Sequence, residues 1–288
     1  MWHTIAKQIS ENLNIDFVIT HKEQLNQGAQ TLAFKISDGQ HHFFVKLNEL
    51  NGLDQFEAES FNLTELTLHS TFFVPDCICT GITLDHSFIV LEWLTLSNQS
   101  TDNWQQLGEG LAQMHQKHEQ AMFGWQQDNF LGKSIQTNRW HKRWDIFFAE
   151  QRIGWQLQLL HEKGLHFCDI NEFIEITKHT LHNHVIEPSL LHGHLWRGNV
   201  GFVNHQAAVF DAACYYGDRE VDLAMSELFG HFPADFYHAY QAHYPLSATA
   251  SERKPFYQLY YLLNQANVFQ GMYLTQAKSL IKQLIERN

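Results

Sequence analysis

The segment Leu190-Leu-His-Gly-His-Leu-Trp-Arg-Gly-Asn-Val-Gly201 is followed closely by Ala208-Val-Phe-Asp-Ala-Ala-Cys-Tyr-Tyr-Gly217. In the first segment an apolar approach leads into a polar loop, and the second begins with apolar residues that end at Asp211. Val200 and Val203 lie between the loop and this acid. The pattern predicts a strand, a loop, two hairpin strands and an acid at the end of a strand.

Three polar residues in these segments have a spacing that suits phosphoryl transfer. Asn199 follows His194 by five residues, and Asp211 follows Asn199 by twelve. Phosphoryl transfer from ATP to a hydroxyl uses a side chain that orients the hydroxyl, and then an Asn and an Asp that bind Mg²⁺. Each residue alone is more typical of a turn or a loop cap. Their order together favours a kinase site, with Asn199 and Asp211 as metal ligands.

Several stretches of the chain match one family pattern. Residues 192–199 have the form His-Gly-x-Leu-Trp-x-Gly-Asn, and residues 211–225 have the form Asp-x-Ala-Cys-Tyr-Tyr-Gly-Asp-Arg-Glu-x-Asp-Leu-Ala-Met. They resemble the signature of the fructosamine-3-kinase (ketosamine kinase) family, which is related to aminoglycoside and choline kinases. Residues 143–157 resemble that family's lobe-specific helix, and residues 123–132 include matches to the preceding loop. The resemblance covers nearly the whole chain and implies a protein-kinase-like fold.

The resemblance also implies roles for residues of the first third. Lys46 would contact the ATP phosphates, and Glu59 on the following helix would hold that lysine by an ion pair. Glu92 and Leu94 would present backbone groups to adenine. Gly28 is the single glycine of the loop that would cover the phosphates.

The implied activity is that of an ATP-dependent phosphotransferase with ATP and Mg²⁺ held between two lobes. The substrate would be a sugar hydroxyl of a fructosamine or ribulosamine adduct, so the partner is a small-molecule or glycated-amine acceptor. The catalytic group would comprise His194, Asn199 and Asp211. Asp218, Arg219 and Asp222 would brace the site. The oligomeric state is left open.

The chain departs from the family pattern at the position that should carry the catalytic carboxylate. The family has Asp there, and this chain has His194. A neutral imidazole can accept a proton, but it is bulkier than a carboxylate, and nearby phosphates would favour its protonated form. A weakened kinase and a nucleotide-binding pseudokinase with a regulatory role therefore stay open. A metal site at His192 and His194 is a third alternative, although no companion ligand follows at a typical spacing. Ala212 replaces the family's usual proline without removing a ligand.

We expect an α+β fold with two lobes that together form one structural domain. Residues 1–93 would form a nucleotide-covering lobe with a small antiparallel sheet and one helix, and residues 94–288 a mainly helical lobe with the catalytic loop. The segments expected to be strands in the first lobe are 31–36, 42–46, 73–78 and 87–91, and the helix is 54–68. Apolar residues at helical spacing predict helices near 107–114, 146–160 and 221–228, and one or two over 254–286.

Composition excludes several other classes of protein. The formal charge of −12 leaves little material for a positive face, so nucleic acid binding is not expected. We find no secretory signal and no apolar run of membrane-spanning length, and expect a cytoplasmic protein without membrane attachment. The four cysteines have no ligand spacing and are expected to be free thiols. The pairs His41-His42 and His182-x-His184 are expected to be ordinary solvated or hydrogen-bonded histidines.

Overall fold

The computed structural model describes residues 1–25 and 31–287 of the 288-residue chain. The chain divides into two compact units, one of Met1–Gln99 with Gly201–Asp211 and the other of Ser100–Val200 with Ala212–Asn288. With the expected boundary after residue 93, the segment 201–211 would belong to the second lobe, whereas in the structure it belongs to the first unit. The difference arises because Phe73 bonds to that segment, donating to the carbonyl of Ala207 at 2.8 Å and accepting from the N–H of Val209 at 3.0 Å.

The first unit contains a five-stranded antiparallel sheet in the order β1-β2-β3-β5-β4. Helix α1 packs its residues Ile5 and Ile9 against the sheet residues Val45 and Val90 in one apolar core. The strands are β1 His21–Leu25, β2 Leu32–Ser37, β3 His42–Asn48, β4 Cys77–Ile82 and β5 Ser87–Glu92, and the helices are α1 Trp2–Leu13 and α2 Leu53–His69. Sequence analysis predicted α2 but missed α1 and β1.

The hairpin expected between β2 and β3 is present, and its turn has the predicted chemistry. The Asp38 carboxylate accepts the N–H groups of Gln40 and His41 at 2.8 and 2.6 Å. Gly39 has φ of +100°, a conformation that residues with a Cβ rarely adopt. The turn sets the register in which Phe34 faces Val45.

The strand predicted at 73–78 was placed too early. Strand β4 begins at Cys77, after Pro75, which has no N–H to donate to a ladder. Phe73 forms an isolated parallel bridge with Ala208 instead. This bridge fixes the hairpin of β9 Val200–Val203 and β10 Gln206–Val209.

The second unit is mainly helical, as predicted. Three pairs of helices pack closely, α3 with α8, α9 with α10, and α7 with α9. Its helices are α3 Thr101–His115, α4 Trp144–Phe148, α5 Trp155–Glu162, α6 Ile170–Leu181, α7 Glu220–Leu228, α8 Ala234–His243, α9 Ala250–Phe269 and α10 Met272–Arg287. Its short strands are β6 Asn129–Leu131, β7 Ser134–Gln136, β8 Ser189–Leu191 and β11 Tyr215–Gly217. The antiparallel pairs are β6 with β7 and β8 with β11.

One predicted helix is interrupted, and the stretch predicted as one or two helices forms two. A π-helical segment, Ala149–Gly154, separates α4 from α5 in the helix expected over 146–160. The stretch 254–286 forms two helices because Gln270 and Gly271 both have positive φ, 55° and 53°. None of the described helices is long and apolar enough to cross a bilayer.

Candidate active site

Lys46, Glu59 and Asp211 form a charged cluster in the first unit. The Nζ atom of Lys46 lies 2.7 Å from Oε1 of Glu59 and 2.5 Å from Oδ1 of Asp211. The side chains of Lys46 and Glu59 are largely buried, whereas that of Asp211 is 39% exposed. The ion pair implied for Lys46 and Glu59 is therefore present, and the same ammonium contacts Asp211.

The electrostatics of this cluster keep Lys46 protonated. Burial lowers the pKa of Lys46, but the negative charges of Asp211 and Glu59 outweigh burial and raise that pKa above its ordinary value of 10.5. Lys46 follows Val45 in β3 and extends from the opposite face of the sheet, away from the α1 core. A lysine with two carboxylate partners can exchange one of them for phosphate oxygens without changing protonation.

Asp211 has an unusual backbone conformation two residues after β10. Its φ is 58°, in the left-handed region. Among residues with a side chain, Asp and Asn tolerate this region best, but the conformation still costs energy and persists only where neighbouring structure fixes it. The position of the Asp211 carboxylate therefore depends on how the chain on either side is held.

The other residues implied in nucleotide binding are only partly described. Glu92 ends β5 and is half-buried, as is Leu94 two residues later. The Glu92 N–H donates to the carbonyl of Asp76 at 2.9 Å. The expected backbone contacts with adenine would thus involve the Glu92 carbonyl and Leu94. Gly28 lies outside the described residues.

In the second unit, the loop 192–199 carries the other predicted residues. The Asn199 side chain donates to the carbonyl of His194 at 2.9 Å, and the Asn199 N–H donates to the carbonyl of Trp196 at 2.9 Å. The N–H of His194 donates to Nδ1 of His192 at 3.2 Å. His194 is partly buried and Asn199 is buried. The two residues are thus placed by one compact loop.

At the start of this loop, every backbone N–H and carbonyl group of His192 and Gly193 has a hydrogen-bond partner. The Asp222 carboxylate accepts the N–H groups of His192 and Gly193, both at 2.8 Å. The carbonyl of His192 accepts from Ala213 N–H at 2.9 Å, and that of Gly193 accepts from the Tyr261 hydroxyl at 3.0 Å. A Cβ at Gly193 would lie 2.0 Å from the Ala213 carbonyl oxygen, so only glycine fits.

Of the three residues expected to brace the site, Asp222 contacts the loop directly. Its buried carboxylate also lies 3.2 Å from Nε2 of His115, a residue that sequence analysis missed. Asp218 instead bonds to His184 and Tyr257. Arg219 stacks on Tyr244, 3.5 Å from the ring centroid.

Comparisons with known proteins show the family to which the chain belongs. The model of the fructosamine kinase family matches residues 1–287. The chain belongs to the fructosamine kinase family. As a member it is an ATP-dependent phosphotransferase, which confirms the predicted enzyme class.

Relatives are similar over their whole length. A Vibrio parahaemolyticus protein named "probable ketoamine kinase" is 46% identical over 286 residues, which cover 99% of each chain. A protein of the same name from Escherichia coli K12 is 40% identical over 285 residues, again 99% of each.

Solved structures confirm the predicted protein-kinase-like α+β fold. A Haemophilus somnus protein named "putative fructosamine-3-kinase" has a TM-score of 0.94 and 39% identity, covering 99% of this chain and 98% of that one. A thermostable mutant of aminoglycoside phosphotransferase APH(4)-Ia matches with a TM-score of 0.64 and 14% identity over 98% of both chains, which shows likeness of fold alone.

A histidine metal site at His192 and His194 gains no support. Among the described residues, one group of His, Cys, Asp and Glu side chains is compact enough for an ion, and it comprises His184, Asp218 and Glu220. Both oxygens of Glu220 already accept from Arg253, at 2.6 and 2.9 Å. This fructosamine kinase family member thus satisfies that group with its own side chains.

Proposed function

We propose that this chain transfers the γ-phosphoryl group of ATP to a sugar hydroxyl of a ketosamine, the fructosamine or ribulosamine adduct of an amine. The family match and the ketoamine kinase names of the full-length relatives support this substrate class. The cluster of Lys46, Glu59 and Asp211 carries the proposal, because it joins the lysine expected at the phosphates to the acid expected at the metal.

On the nucleotide side, Lys46 would bind phosphate oxygens while Glu59 holds its ammonium in place. A buried ion pair of this kind fixes the lysine tip without consuming all of its donors, because an ammonium has three N–H groups. Glu92 and Leu94 would present backbone groups to adenine, and Gly28 would belong to the loop that covers the phosphates.

Asp211 and Asn199 would be the protein ligands of Mg²⁺. Carboxylate and amide oxygens are the hard ligands that this ion prefers, and Asp211 and Asn199 supply one of each. The Asn199 amide nitrogen already donates to the His194 carbonyl, so the amide would bind through Oδ1. When bound, the ion neutralises charge on the phosphates during transfer.

His194 would orient the acceptor hydroxyl and take its proton on an imidazole nitrogen. The side chain is partly buried, and its backbone is fixed on both sides, by His192 and by Asn199. Phosphoryl transfer depends mostly on positioning and charge, and a general base adds roughly 10²–10⁴-fold. Histidine in place of Asp is therefore compatible with turnover.

A second candidate is a pseudokinase, which binds nucleotide in a regulatory role and transfers no phosphate. The observation that favours it is His194 itself, at the position where the family pattern has a carboxylate. A protonated imidazole would donate to phosphate instead of accepting a proton.

ATP turnover with a fructosamine and a ribulosamine of the same amine tests the proposal. The unmodified amine is the matched control, since it lacks only the sugar. We expect sugar-dependent ADP formation in the wild type and none in Asp211→Asn. Nucleotide binding without turnover in either assay would favour the pseudokinase.

A further inference from the structure

The hairpin β6–β7 presents two buried amide side chains to the segment that follows Asp211. Asn129 Nδ2 donates to the carbonyl of Cys214 at 2.7 Å, and Gln136 Nε2 donates to the carbonyl of Ala213 at 3.1 Å. Asn129 is 0% exposed and Gln136 is 1% exposed. Two consecutive carbonyl groups therefore have buried side-chain donors from one hairpin.

The orientation of both amides is fixed by further partners. Gln136 Nε2 also donates to Oδ1 of Asn129 at 2.7 Å, and Asn138 Nδ2 donates to that same oxygen at 3.0 Å. The Tyr260 hydroxyl donates to Oε1 of Gln136 at 2.6 Å. Because turning either amide over would place its oxygen against a backbone carbonyl, the network favours one arrangement.

A buried arginine contacts the Asn138 end of this network. Arg152 is fully buried in the π-helical segment and donates to Oδ1 of Asn138 at 2.7 Å. Its guanidinium lies over the ring of Tyr215, 4.1 Å from the centroid. The network therefore extends from the π-helical segment to the residues after Asp211.

The segment held by the hairpin is itself part of the catalytic loop's support. Ala213 N–H donates to the carbonyl of His192, and the Ala213 carbonyl lies against Gly193 so closely that a Cβ there would approach to 2.0 Å. Asp211 precedes Ala213 by two residues and has the strained φ of 58°. A shift of Ala213 would thus alter the approach to His194 and release a constraint next to Asp211.

We propose that Asn129 and Gln136 are positioning residues for phosphoryl transfer. They hold the carbonyls of Ala213 and Cys214, and through them the backbone of His192 and Gly193. The proposal rests on the proposed function. Since displacement of about 1 Å can cost up to 10²-fold in rate, we expect loss of either amide donor to lower kcat and weaken Mg²⁺-dependent nucleotide binding. The KM for the ketosamine should change little.

The test compares three isosteric substitutions. Asn129→Asp keeps the acceptor oxygen for Gln136 and Asn138 and removes the donor to Cys214. Gln136→Glu keeps the acceptor for Tyr260 and removes the donor to Ala213. Asn264→Asp is the matched control, because Asn264 is equally buried and donates to the carbonyl of Leu131, in β6, at 3.2 Å. Gln136→Met adds a variant without a buried carboxylate.

For each folded variant we would measure the melting temperature, the rise in that temperature with ATP at several Mg²⁺ concentrations, and kcat against KM. For the variants at 129 and 136 we expect about a tenfold or larger loss of kcat. Their rise in melting temperature with ATP should need higher Mg²⁺ concentrations than in the wild type. Asn264→Asp should lower the melting temperature and leave kcat and the Mg²⁺ dependence unchanged. If Asn129→Asp, Gln136→Glu and Gln136→Met resemble Asn264→Asp in all three measurements, the residues are structural only and the inference is wrong.

The binding measurement separates this inference from the proposed function. If the wild type turns over no ketosamine but binds Mg·ATP, the substrate assignment fails, and the Mg²⁺ dependence of the same variants still decides the inference. If ATP binding by the variants at 129 and 136 depended on Mg²⁺ as it does in the wild type, the positioning role of Asn129 and Gln136 would be refuted.

Discussion

The side-chain amide of Asn199 donates a hydrogen bond of 2.9 Å to the backbone carbonyl of His194, five residues earlier. This bond closes the loop 194–199 without using the imidazole. Asn199 and the backbone of residue 194 therefore form one unit, whatever side chain stands at 194. Substitutions at 194 should change proton transfer while leaving Asn199, the proposed metal ligand, in place.

We predict that Mg·ATP stabilises the protein through Lys46. A ligand at a hundred times its Kd adds about 2.7 kcal/mol to the free energy of unfolding, so thermal melts at millimolar Mg·ATP should show a clear rise. Lys46→Met should abolish most of it. Lys35→Met, in the neighbouring strand where Lys35 lies over Trp93, is the control and should keep it. Equal responses in both variants would contradict the assignment of Lys46.

Asp211→Asn should remove Mg²⁺-dependent binding and turnover. Asparagine tolerates the left-handed backbone at φ 58°, so the substitution removes charge with little strain. A carboxylate is a stronger ligand for Mg²⁺ than an amide. Cys214→Ser, three residues later and buried, should retain binding. Mg²⁺ titrations of ATP binding by both variants check this, and similar losses would mean that the segment acts through packing.

Glu59→Gln should misplace Lys46 and lower kcat/KM for ATP. The substitution replaces the ion pair of 2.7 Å with a bond from the charged ammonium to an uncharged amide oxygen, which removes part of the about 1.5–3 kcal/mol that such bonds contribute. A weakening of about 1.4 kcal/mol corresponds to a loss of roughly tenfold. Glu57→Gln, on the exposed side of the same helix, is the matched control. Steady-state kinetics at varied ATP would refute the role of Glu59 if both variants were equal to wild type.

The sequence was informative where the chemistry is local. Asn199 and Asp211 stand in segments of rare residues whose spacing predicts a phosphoryl-transfer site, and the family match agrees. The turn at Asp38-Gly39 was predictable because a glycine and a side-chain acceptor define it. The ion pair of Lys46 and Glu59 followed from the resemblance.

The remaining features depend on tertiary contacts between distant residues. Asn129 and Gln136 look like ordinary loop polar residues in sequence, and only folding places them at Cys214 and Ala213, 85 and 77 residues away. His115 reads as the end of an amphipathic helix, and its bond to Asp222 spans 107 residues. No local periodicity carries such information.

His115 should make the protein less stable in mild acid. Its ring is fully buried between Asp222 and the Tyr240 hydroxyl, and burial lowers the pKa of His115 below its ordinary value of 6.5, although Asp222 opposes this. Because the unfolded chain then binds the proton more readily, stability is present above about pH 6.5 and is lost as the pH falls towards the folded-state pKa.

At pH 5.5 this group should cost the wild type up to about 1.4 kcal/mol relative to pH 7.5. His115→Gln can donate to Asp222 and accept from Tyr240 but does not titrate, so its stability should depend less on pH. Urea unfolding of both proteins at the two pH values isolates the difference from the other nineteen histidines. Parallel losses would show that His115 does not carry the effect.

His194→Asp should raise the rate of the chemical step. The carboxylate stays ionised at neutral pH and is smaller than the imidazole, while the Asn199 bond to the carbonyl of residue 194 is unaffected by the exchange. A general base contributes roughly 10²–10⁴-fold to the rate. The exchange should recover part of this contribution, so turnover should increase by about tenfold or more.

The pH profile separates an acting base from a bystander. We would compare the pH dependence of kcat/KM in the wild type and in His194→Asp, because a base at residue 194 makes the two profiles differ. His194→Asn is the control, since it can orient a hydroxyl but cannot take its proton, and it should be slow at every pH. ATP binding must first be equal in the three proteins, so that lost folding is not mistaken for lost chemistry. A wild type faster than His194→Asp would identify histidine as an adapted base, and a profile unchanged by either substitution would remove residue 194 from the proton path.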